Sequence, residues 1–249
     1  MGAKPYVAAV IPARGGSTRL PGKNVALLGG RPLIAHTISA ALGARSVDEV
    51  FVSTDHQEIA NVSRRWGAQV IQRPAELATA QSPTEPCLIH AVRAIEARRG
   101  HPVDVLVLLQ PTSPLRGAGR IDQAVRLLVE SGCDSVASVV KDIHYYFLGE
   151  LGPQSELKVG YDPNNRLRTQ DIPPRYRENG AIYVMTREQL MDRGCRMGGD
   201  LRALVMDETE SVDIDTMLDL QHCELLLPRT SAGELVRPAT VETPALTAA

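Results

Sequence analysis

Apolar residues in the first part of the chain alternate between short continuous runs and stretches with a helical repeat. Continuous runs predict strands covered on both faces, and the longer periodic stretches predict amphipathic helices. Strands are predicted at Tyr6–Ile11, Glu49–Ser53, Gln69–Ile71, Val103–Leu109 and Ser135–Val140, and helices from Pro32 to Leu42 and at Glu58–Trp66, Thr84–Arg99 and Ala118–Ser131. This alternation predicts an α/β fold of three layers, in which helices cover both faces of a mainly parallel sheet.

The alternation stops after Lys141. Residues 142–178 are rich in Pro, Gly, Asn and Tyr, and we expect an excursion from the main sheet with a few antiparallel strands. Further strands are predicted at Ala181–Val184, Leu204–Met206 and Val212–Ile214, and further helices at Glu188–Arg193 and Thr216–Leu227. Residues 1–228 are therefore interpreted as one domain, and residues 229–249, which lack periodicity, are predicted to be a disordered tail.

The composition narrows the class of protein. The formal net charge of -2 gives no overall basic field, so nucleic acid is not expected as a partner. No apolar run approaches the ~18 residues of a membrane span, and no cleavable signal segment is apparent. The four cysteines form no CxxC pair, which is typical of reduced thiols in a cytoplasmic protein.

The loop after the first predicted strand, Arg14–Asn24, combines glycine with cationic residues at the sheet edge where open α/β folds bind ligands. Groups that suit an anion are the backbone N–H groups of Gly15 and Gly16 and the side chains of Arg14, Ser17, Arg19 and Lys23. The spacing excludes a Walker A loop, since five residues separate Gly16 from Gly22, and GxGxxG is absent. The loop is predicted to bind phosphate; the alternative is a polar surface loop whose glycines only make turns.

Two carboxylates, Asp213 and Asp215, stand two positions apart before the last predicted helix. In an extended segment both side chains project from one face, while Ile214 points into the core. Like charges so placed repel unless a cation lies between them, and Mg²⁺ shared with substrate phosphates suits the arrangement. The alternative is that Asp215 or Thr216 caps the helix and that Asp213 is simply exposed.

Seven motifs follow one another in order along the chain. They are IPARGGS at 11–17, PGKN at 21–24, VSTD at 52–55, RPAELA at 73–78, LQPTSPLR at 109–116, NGAIY at 179–183 and SVDIDT at 211–216. With these motifs the chain resembles the acylneuraminate cytidylyltransferases, or CMP-sialic acid synthetases, from about residue 7 to 227. The resemblance implies a Rossmann-like nucleotidyltransferase fold. It also implies transfer of CMP from CTP to the anomeric 2-hydroxyl of a nonulosonic acid, an acidic keto-sugar, with release of pyrophosphate.

The resemblance also implies roles for individual residues. Nucleotide contacts fall on Ala13, Arg14, Gly15, Gly16, Ser17, Lys23, Asn24, Arg73, Ser82 and Thr84, and acceptor contacts on Gln110, Arg177, Asn179 and Tyr183. Catalytic roles fall on Arg14, Lys23, Asp213 and Asp215, the last two as ligands of Mg²⁺. The excursion is implied to build a homodimer. Taken by residue type alone, Gln110 also suits a buried strand end, Arg177 an exposed loop and Tyr183 a core aromatic.

Two departures from the family pattern bear on specificity. Thr18-Arg19 stands where many members carry Lys-Gly or Lys-Arg, so phosphate contacts are expected to shift toward Arg19. Residues 195–199 lack the aromatic pair of some relatives, which favours a less apolar acceptor pocket, suited for instance to legionaminic acid. Alternative functions are CTP-dependent transfer to a phosphonate or octulosonic acid, transfer to a sugar phosphate from GTP or UTP, and nucleotide sensing without catalysis. The general base is left open between Asp213, Asp215 and a metal-bound water.

Overall fold

The structure, a computed structural model, describes residues 4–17 and 19–227. Its strands are β1 (Val7–Pro12), β2 (Leu27–Leu28), β3 (Arg31–Pro32), β4 (Glu49–Thr54), β5 (Gln69–Gln72), β6 (Val105–Leu109), β7 (Ser135–Asp142), β8 (Gly149–Leu151), β9 (Leu157–Val159), β10 (Arg175–Thr186) and β11 (Leu201–Met206). Its α-helices are α1 (Leu33–Gly43), α2 (Gln57–Arg65), α3 (Thr84–Arg99), α4 (Ala118–Ser131), α5 (Arg187–Met191) and α6 (Met217–Leu226).

Seven of the described strands form one sheet in the order β11-β7-β10-β6-β1-β4-β5. Its strands run parallel except β10, which is antiparallel to both of its neighbours. In β1, Val10 lies opposite Leu108 of β6 and Phe51 of β4, so these three strands end at one edge. The predicted mainly parallel sheet is confirmed, and its carboxyl edge is where the loop after β1 emerges.

Helices cover both faces of the sheet. Alternate residues of β1 face opposite layers: Val7, Ala9 and Ile11 pack with α1, α2 and α4, whereas Ala8 and Val10 pack with α3. Each fully buried Val, Ile or Leu contributes about 1.5–3 kcal/mol to folding, so these two clusters hold the layers together. The predicted three-layer architecture is confirmed.

A third, smaller apolar cluster lies near the carboxyl edge. It joins Leu20 of the loop after β1, Leu115 of the loop after β6, Ile214 and Leu220. Ile214 is fully buried there, as the pattern predicted. This cluster fixes the glycine-rich loop, the end of β6 and the Asp213–Asp215 segment relative to one another.

The structure corrects two of the predicted elements. The strand expected at Val212–Ile214 was wrong: the segment has no partner strand among the described residues, and the N–H of Ile214 donates to the carbonyl of Thr112 at 2.8 Å. The excursion is shorter than predicted, because β10 begins at Arg175, which pairs with Asp142 at the end of β7. Its expected antiparallel strands are present as the β8–β9 pair. The predicted tail lies outside the described residues.

Within the described ranges, no helix has both the length and the apolar character that crossing a membrane requires. The four cysteines are present there as free thiols. Neither finding tests the predicted cytoplasmic location, which stays a prediction.

Candidate active site

A cleft of about 350 Å³ opens at the carboxyl edge of the sheet, beside the ends of β1 and β6. Eight residues predicted for the site line it: Arg14, Ser17, Lys23, Asn24, Arg73, Ser82, Thr84 and Gln110. Six of them come from four separate motifs, and Ser82 and Thr84 lie between motifs, so the fold brings together groups that are almost 100 positions apart in the chain. Ligands of open α/β sheets bind at this edge.

The first part of the glycine-rich loop is tied to the end of β4. The N–H of Ala13 donates to the carbonyl of Ser53 at 2.9 Å, and the N–H of Gly15 donates to Asp55 Oδ1 at 3.0 Å. Asn24 closes the loop from the other end, since its Nδ2 donates to the carbonyl of Arg14 at 3.0 Å. The loop is therefore held in shape by two hydrogen bonds to the end of β4 and by one hydrogen bond within the loop. Its Gly15 N–H, predicted to face an anion, is used by a carboxylate in this structure.

Glycine is required in this loop for two different reasons. A β-carbon on Gly15 would lie 2.7 Å from Cδ2 of His56, so the absence of a side chain permits a close approach. Gly22 has a φ of 67°, in the left-handed region that favours glycine, and it precedes the short 3₁₀ helix Lys23–Val25. This turn directs Lys23 into the cleft.

Arg14 and Arg73 provide positive charge and form no ion pair with a carboxylate in the described part of the chain, although the charge of Asp55 acts on Arg73. Arg14 Nη1 donates to the carbonyl of Thr79 at 2.5 Å. Arg73 is buried, and it donates from Nη2 to the carbonyl of Ser53 at 2.6 Å and from Nε to Ser53 Oγ at 3.2 Å. Burial lowers the pKa of Arg73, because desolvation disfavours its charged form. An anionic ligand in the cleft would compensate both cations.

Lys23 and Arg19 both contact Asp215. Lys23 Nζ lies 3.1 Å from Asp215 Oδ1 and also donates to the carbonyl of Ile214 at 2.8 Å. Arg19 Nη1 lies 2.6 Å from Asp215 Oδ2. The cationic loop and the predicted metal carboxylate are thus one connected cluster. Arg19 belongs to the Thr18-Arg19 departure, of which Thr18 lies outside the described residues.

The Asp213–Asp215 segment is anchored on both sides. Ile214 is buried and bonded to Thr112, and Thr216 forms a capping box with Asp219 at the start of α6. Thr216 therefore caps the helix and Asp213 is exposed, as the alternative interpretation predicted, and Asp215 is partly accessible to solvent. Partial burial and the like charge of Asp215 raise the pKa of Asp213, although Thr112 and Lys23 oppose this shift.

Ser82 and Thr84 lie on the wall of the cleft formed by the chain before α3. Ser82 Oγ accepts from the N–H of Thr79 at 3.1 Å and donates to the carbonyl of Glu76 at 3.1 Å, so it holds this wall together. Thr84 is the first residue of α3. Leu77, Thr79 and Ala80 also line the cleft and were not singled out from sequence. Only Leu77 belongs to the RPAELA motif, of which Arg73 alone was given a role, and Thr79 and Ala80 directly follow that motif.

Gln110 follows the last residue of β6 and faces the cleft. Its Oε1 would lie 3.1 Å from a β-carbon on Gly180, which has a φ of 73°. Gly180 belongs to an irregularity of β10, where pairing with β7 shifts between Glu178 and Tyr183. The strand therefore bulges over Gln110, and only glycine fits there with this backbone conformation.

Tyr183 is buried in the core on the α3 side of the sheet, and its hydroxyl donates to Glu178 Oε2 at 3.0 Å. Burial and this carboxylate raise the pKa of Tyr183 to about 12. The guanidinium of Arg196 lies 5.3 Å from the ring centre and pairs with Glu85 at 2.6 Å. A charged pair therefore stands at the 195–199 segment, where a less apolar surface was expected.

Asn179 and Arg177 do not line the cleft. Asn179 is buried: its Nδ2 donates to Ser211 Oγ at 2.8 Å, and its Oδ1 accepts from Ser138 Oγ at 2.6 Å. Arg177 is exposed and pairs with Asp142 at 3.3 Å. In this structure Asn179 holds the bulge of β10 in place, and the predicted acceptor contacts of Arg177, Asn179 and Tyr183 stay predictions.

Asp55 and Arg116 were quoted within motifs but were given no role from sequence. Asp55 accepts the Gly15 N–H, as described above. Arg116 is completely buried behind the loop that follows β6. A charged residue at the end of a polar motif gives no sequence signal of burial, because arginine is mostly exposed in proteins.

Comparison with known proteins identifies the family. The model of the cytidylyltransferase family matches residues 8–220. An N-acylneuraminate cytidylyltransferase of Oncorhynchus mykiss is 35% identical over 242 residues, which are 96% of this chain and 54% of that relative. A CMP-N,N'-diacetyllegionaminic acid synthase of Legionella pneumophila is 35% identical over 224 residues, which are 89% of this chain and 96% of the relative. The chain thus spans about half the length of the first relative and nearly all of the second.

Two solved structures have the same fold. A CMP:2-keto-3-deoxy-manno-octonic acid synthetase complexed with CTP has a TM-score of 0.65 at 19% identity, over 90% of this chain and 99% of the other. A 4-diphosphocytidyl-2C-methyl-D-erythritol synthase from Anaerococcus prevotii has a TM-score of 0.62 at 11% identity, over 91% of this chain and 100% of the other. These likenesses confirm the predicted nucleotidyltransferase fold. With its seven motifs and the matched residues 8–220, the chain belongs to the cytidylyltransferase family, in the group of the acylneuraminate cytidylyltransferases.

Proposed function

We propose that this chain transfers CMP from CTP to the anomeric 2-hydroxyl of a nonulosonic acid and releases pyrophosphate. The observation that carries the proposal is the cleft in which Arg14, Arg73 and Lys23 converge beside Asp215. Two of these cations have no carboxylate partner in the described residues, and a triphosphate has the charge and the oxygens to bind them. Family membership supports cytidine as the base, and the two relatives are named for sialic and legionaminic acids.

In the proposed reaction the anomeric oxygen attacks the α-phosphorus in line. A bond from this oxygen to phosphorus forms while the bond between the α-phosphorus and the oxygen bridging to the β-phosphate breaks. Negative charge builds on the departing pyrophosphate, and fixed cations at that position stabilise the transition state. Arg14 and Lys23 line the cleft from the loop after β1 and suit this role.

The carboxylate pair fits Mg²⁺. Asp213 and Asp215 share one anchored segment, and the neighbouring charge contributes to the raised pKa of Asp213, which a divalent cation would relieve. The described residues contain no group of three or more His, Cys, Asp or Glu side chains that could hold a metal. Two carboxylates with phosphate oxygens and water are the ligand set that Mg²⁺ prefers. When bound, the ion would neutralise phosphate charge during the transfer.

The hydroxyl proton needs an acceptor within hydrogen-bond reach of the attacking oxygen. No histidine lines the cleft within the described residues, and the candidates are Asp213, Asp215 or a water that they hold, beside the cleft residues Thr112 and Lys23. Asp215 already pairs with two cations, Arg19 and Lys23. Its neighbour Asp213 has a raised pKa, so we favour Asp213 as the residue that directs the proton away.

The acceptor is proposed to lie against Gln110 and the charged pair of Arg196 and Glu85. Glu85 follows Thr84, which lines the cleft, and the Arg196 guanidinium lies beside Tyr183 on the same side of the sheet. A polar wall of this kind suits an acceptor rich in hydroxyl and amide groups. An octulosonic acid or a phosphonate is the alternative acceptor, since either keeps the anionic group.

We also propose that the excursion before β10 mediates a homodimer. It exposes the apolar side chains Leu148, Leu151 and Leu157, each more than 60% accessible, and Tyr176 at the start of β10 is 55% accessible. Apolar side chains grouped on a surface mark sites of protein contact. Sedimentation equilibrium of the whole chain and of a Leu151→Lys, Leu157→Lys variant tests this: the variant should be monomeric, and a monomeric unaltered chain would contradict the dimer.

Pyrophosphate release tests the proposed reaction. The assay combines each of four nucleotides, ATP, CTP, GTP and UTP, with each of five acceptors, and every combination is measured with and without Mg²⁺. The acceptors are N-acetylneuraminate, N,N'-diacetyllegionaminate, an octulosonic acid, a phosphonate and a sugar phosphate. We expect turnover with CTP, Mg²⁺ and a nonulosonic acid. Turnover with GTP and a sugar phosphate, but none with CTP and any nonulosonic acid, would refute the proposal. Turnover with CTP and only the octulosonic acid or the phosphonate would establish the alternative acceptor.

A further inference from the structure

Arg116 is a completely buried cation that the proposed reaction does not use. Its Nη2 donates to the carbonyl of Gln110 at 2.8 Å and to Thr37 Oγ1 at 2.9 Å, and its Nη1 donates to the carbonyl of Ser113. No carboxylate pairs with it in the described residues, and its buried Nε has no partner there. Burial lowers the pKa of Arg116 to about 9, so the guanidinium remains charged at neutral pH.

The bonds of Arg116 fix the turn at residues 110–113. Two backbone carbonyls of this turn, those of Gln110 and Ser113, point at one planar guanidinium, which holds them at a set separation. On the other side of the turn, Gln110, Pro111 and Thr112 line the cleft. The guanidinium therefore lies behind the cleft wall and sets the shape of the part that faces the substrates.

The same turn also holds the carboxylate segment. The carbonyl of Thr112 accepts the N–H of Ile214 at 2.8 Å, and the Thr112 side chain favours the charged form of Asp213 by opposing the rise of its pKa. A displacement of the turn would move Gln110 and would release the segment that carries Asp213 and Asp215. Two parts of the site thus depend on a single buried group that touches neither substrate.

We propose that Arg116 is a positioning residue, which acts through the 110–113 turn to place Gln110 against the acceptor and Asp213 and Asp215 against the phosphates. The catalytic part of this inference rests on the proposed function, whereas the coupling of Arg116 to the Ile214 N–H does not. Two of the three nucleotide cations are held elsewhere, Arg14 by Thr79 and Arg73 by Ser53, and only Lys23 contacts the segment that the turn anchors. Loss of the clamp should therefore affect the reaction more than the binding of CTP.

Arg116→Lys and Arg116→Met test the proposal. The lysine variant keeps the charge but lacks the planar fork, and the methionine variant keeps an unbranched side chain without donors. Arg187→Met is the matched control, since Arg187 pairs with Glu96 at the opposite edge of the sheet. Three quantities are measured: hydrogen exchange of the Ile214 amide, the dissociation constant of CTP by calorimetry, and kcat with KM for N-acetylneuraminate or N,N'-diacetyllegionaminate.

In both Arg116 variants the Ile214 amide should exchange at least about tenfold faster, the scale of one weakened hydrogen bond. The kcat should fall at least about tenfold, and the dissociation constant of CTP should stay within about threefold of the unaltered chain. The Arg187 variant should change none of the three. Folded Arg116→Lys with unaltered Ile214 exchange and unaltered kcat would overturn the proposal. An equal loss of CTP affinity and kcat would also overturn it, because that pattern indicates general unfolding of the site. If the unaltered chain transfers CMP to no acceptor, the proposed function fails, and Ile214 exchange still decides whether Arg116 holds the segment.

Discussion

The two halves of the cleft are built in different ways. The nucleotide half consists of the loop after β1, braced by the ends of β4 and β5 through Ser53, Asp55 and Arg73, and of the wall before α3. The acceptor half depends on β10, an antiparallel strand inserted between β6 and β7 that bulges over Gln110. In the nucleotide half the charged side chains face the cleft, whereas in the acceptor half polar side chains form the hydrogen bonds that hold β10 in place. A role in the site can be assigned from sequence to residues of one short motif, whereas it cannot be assigned to residues whose position depends on strand pairing.

The sharpest test of this comparison lies where the halves meet, at Asp213 and Asp215. Asp213→Asn or Asp215→Asn should lower kcat about 10²-fold or more, because the charge that stabilises the transition state is lost. Steady-state pyrophosphate release measures the effect. Asp207→Asn is the control, since Asp207 is an exposed carboxylate of the same region that pairs with Arg120. Near-normal rates in both site variants would remove the carboxylate pair from the mechanism.

Within the nucleotide half, Arg14→Ala should raise the KM for CTP about ten- to a hundredfold, the scale of one lost hydrogen bond to a charged group. Its present partner is a single backbone carbonyl, so the free energy of unfolding should change little. Initial rates at varied CTP give the KM. Arg45→Ala at the other end of the sheet serves as the control. An unaltered KM for CTP would show that the loop is structural in this half as well.

In the acceptor half, Asn179→Ala should lower the free energy of unfolding by about 1–3 kcal/mol, because Ser138, Ser211 and the Ala181 N–H lose a buried partner. The KM for CTP should stay the same. Urea unfolding measures the stability, with the exposed Asn165→Ala as the control. A stable variant with a raised KM for the acceptor sugar would instead identify Asn179 as a substrate contact and would weaken the contrast between the halves.

The smallest expected effect separates the two adjacent glycines of the loop. Gly15→Ala should lower the free energy of unfolding by about 1–3 kcal/mol, since its methyl group would overlap His56. Gly16→Ala should change it by about 0.5 kcal/mol or less, because nothing lies within 4 Å of that position. Thermal unfolding of both variants checks the difference. Equal losses would mean that the backbone of the loop, and not the contact with His56, selects glycine.

Much of the fold could be predicted from sequence, because buried parallel strands and amphipathic helices have distinct patterns. The bounds of α3 and α4 agree with the predicted ones. The strand predicted at Val212–Ile214 failed for a physical reason: an alternating apolar and polar pattern shows which side is buried, but not whether a partner strand exists. One backbone bond to Thr112 holds that segment instead.

The two halves of the candidate site were predicted with different success, again because a sequence pattern shows burial but not strand pairing. Eight predicted residues line the cleft, and seven of them belong to the nucleotide half. Gln110 is the exception, because it directly follows a buried strand. The orientation of Asn179 depends on the register shift of β10, and the role of Arg116 depends on carbonyls that converge on it from one turn. Register and backbone direction are properties of the folded chain, and no single-sequence pattern encodes them.

The ion pair between Lys23 and Asp215 has a consequence for the order of events at the site. In this structure, Asp215 pairs with the positive charge that a phosphate needs, and Lys23 pairs with the carboxylate that a cation needs. A divalent cation that takes Asp215 frees Lys23 and Arg19 for phosphate, and phosphates that take both cations free Asp215 for the metal. Each ligand thus removes the internal competitor of the other, and this coupling must be equal in both directions. Metal and nucleotide are expected to bind cooperatively, through the side-chain contacts of Asp215 that both of them break.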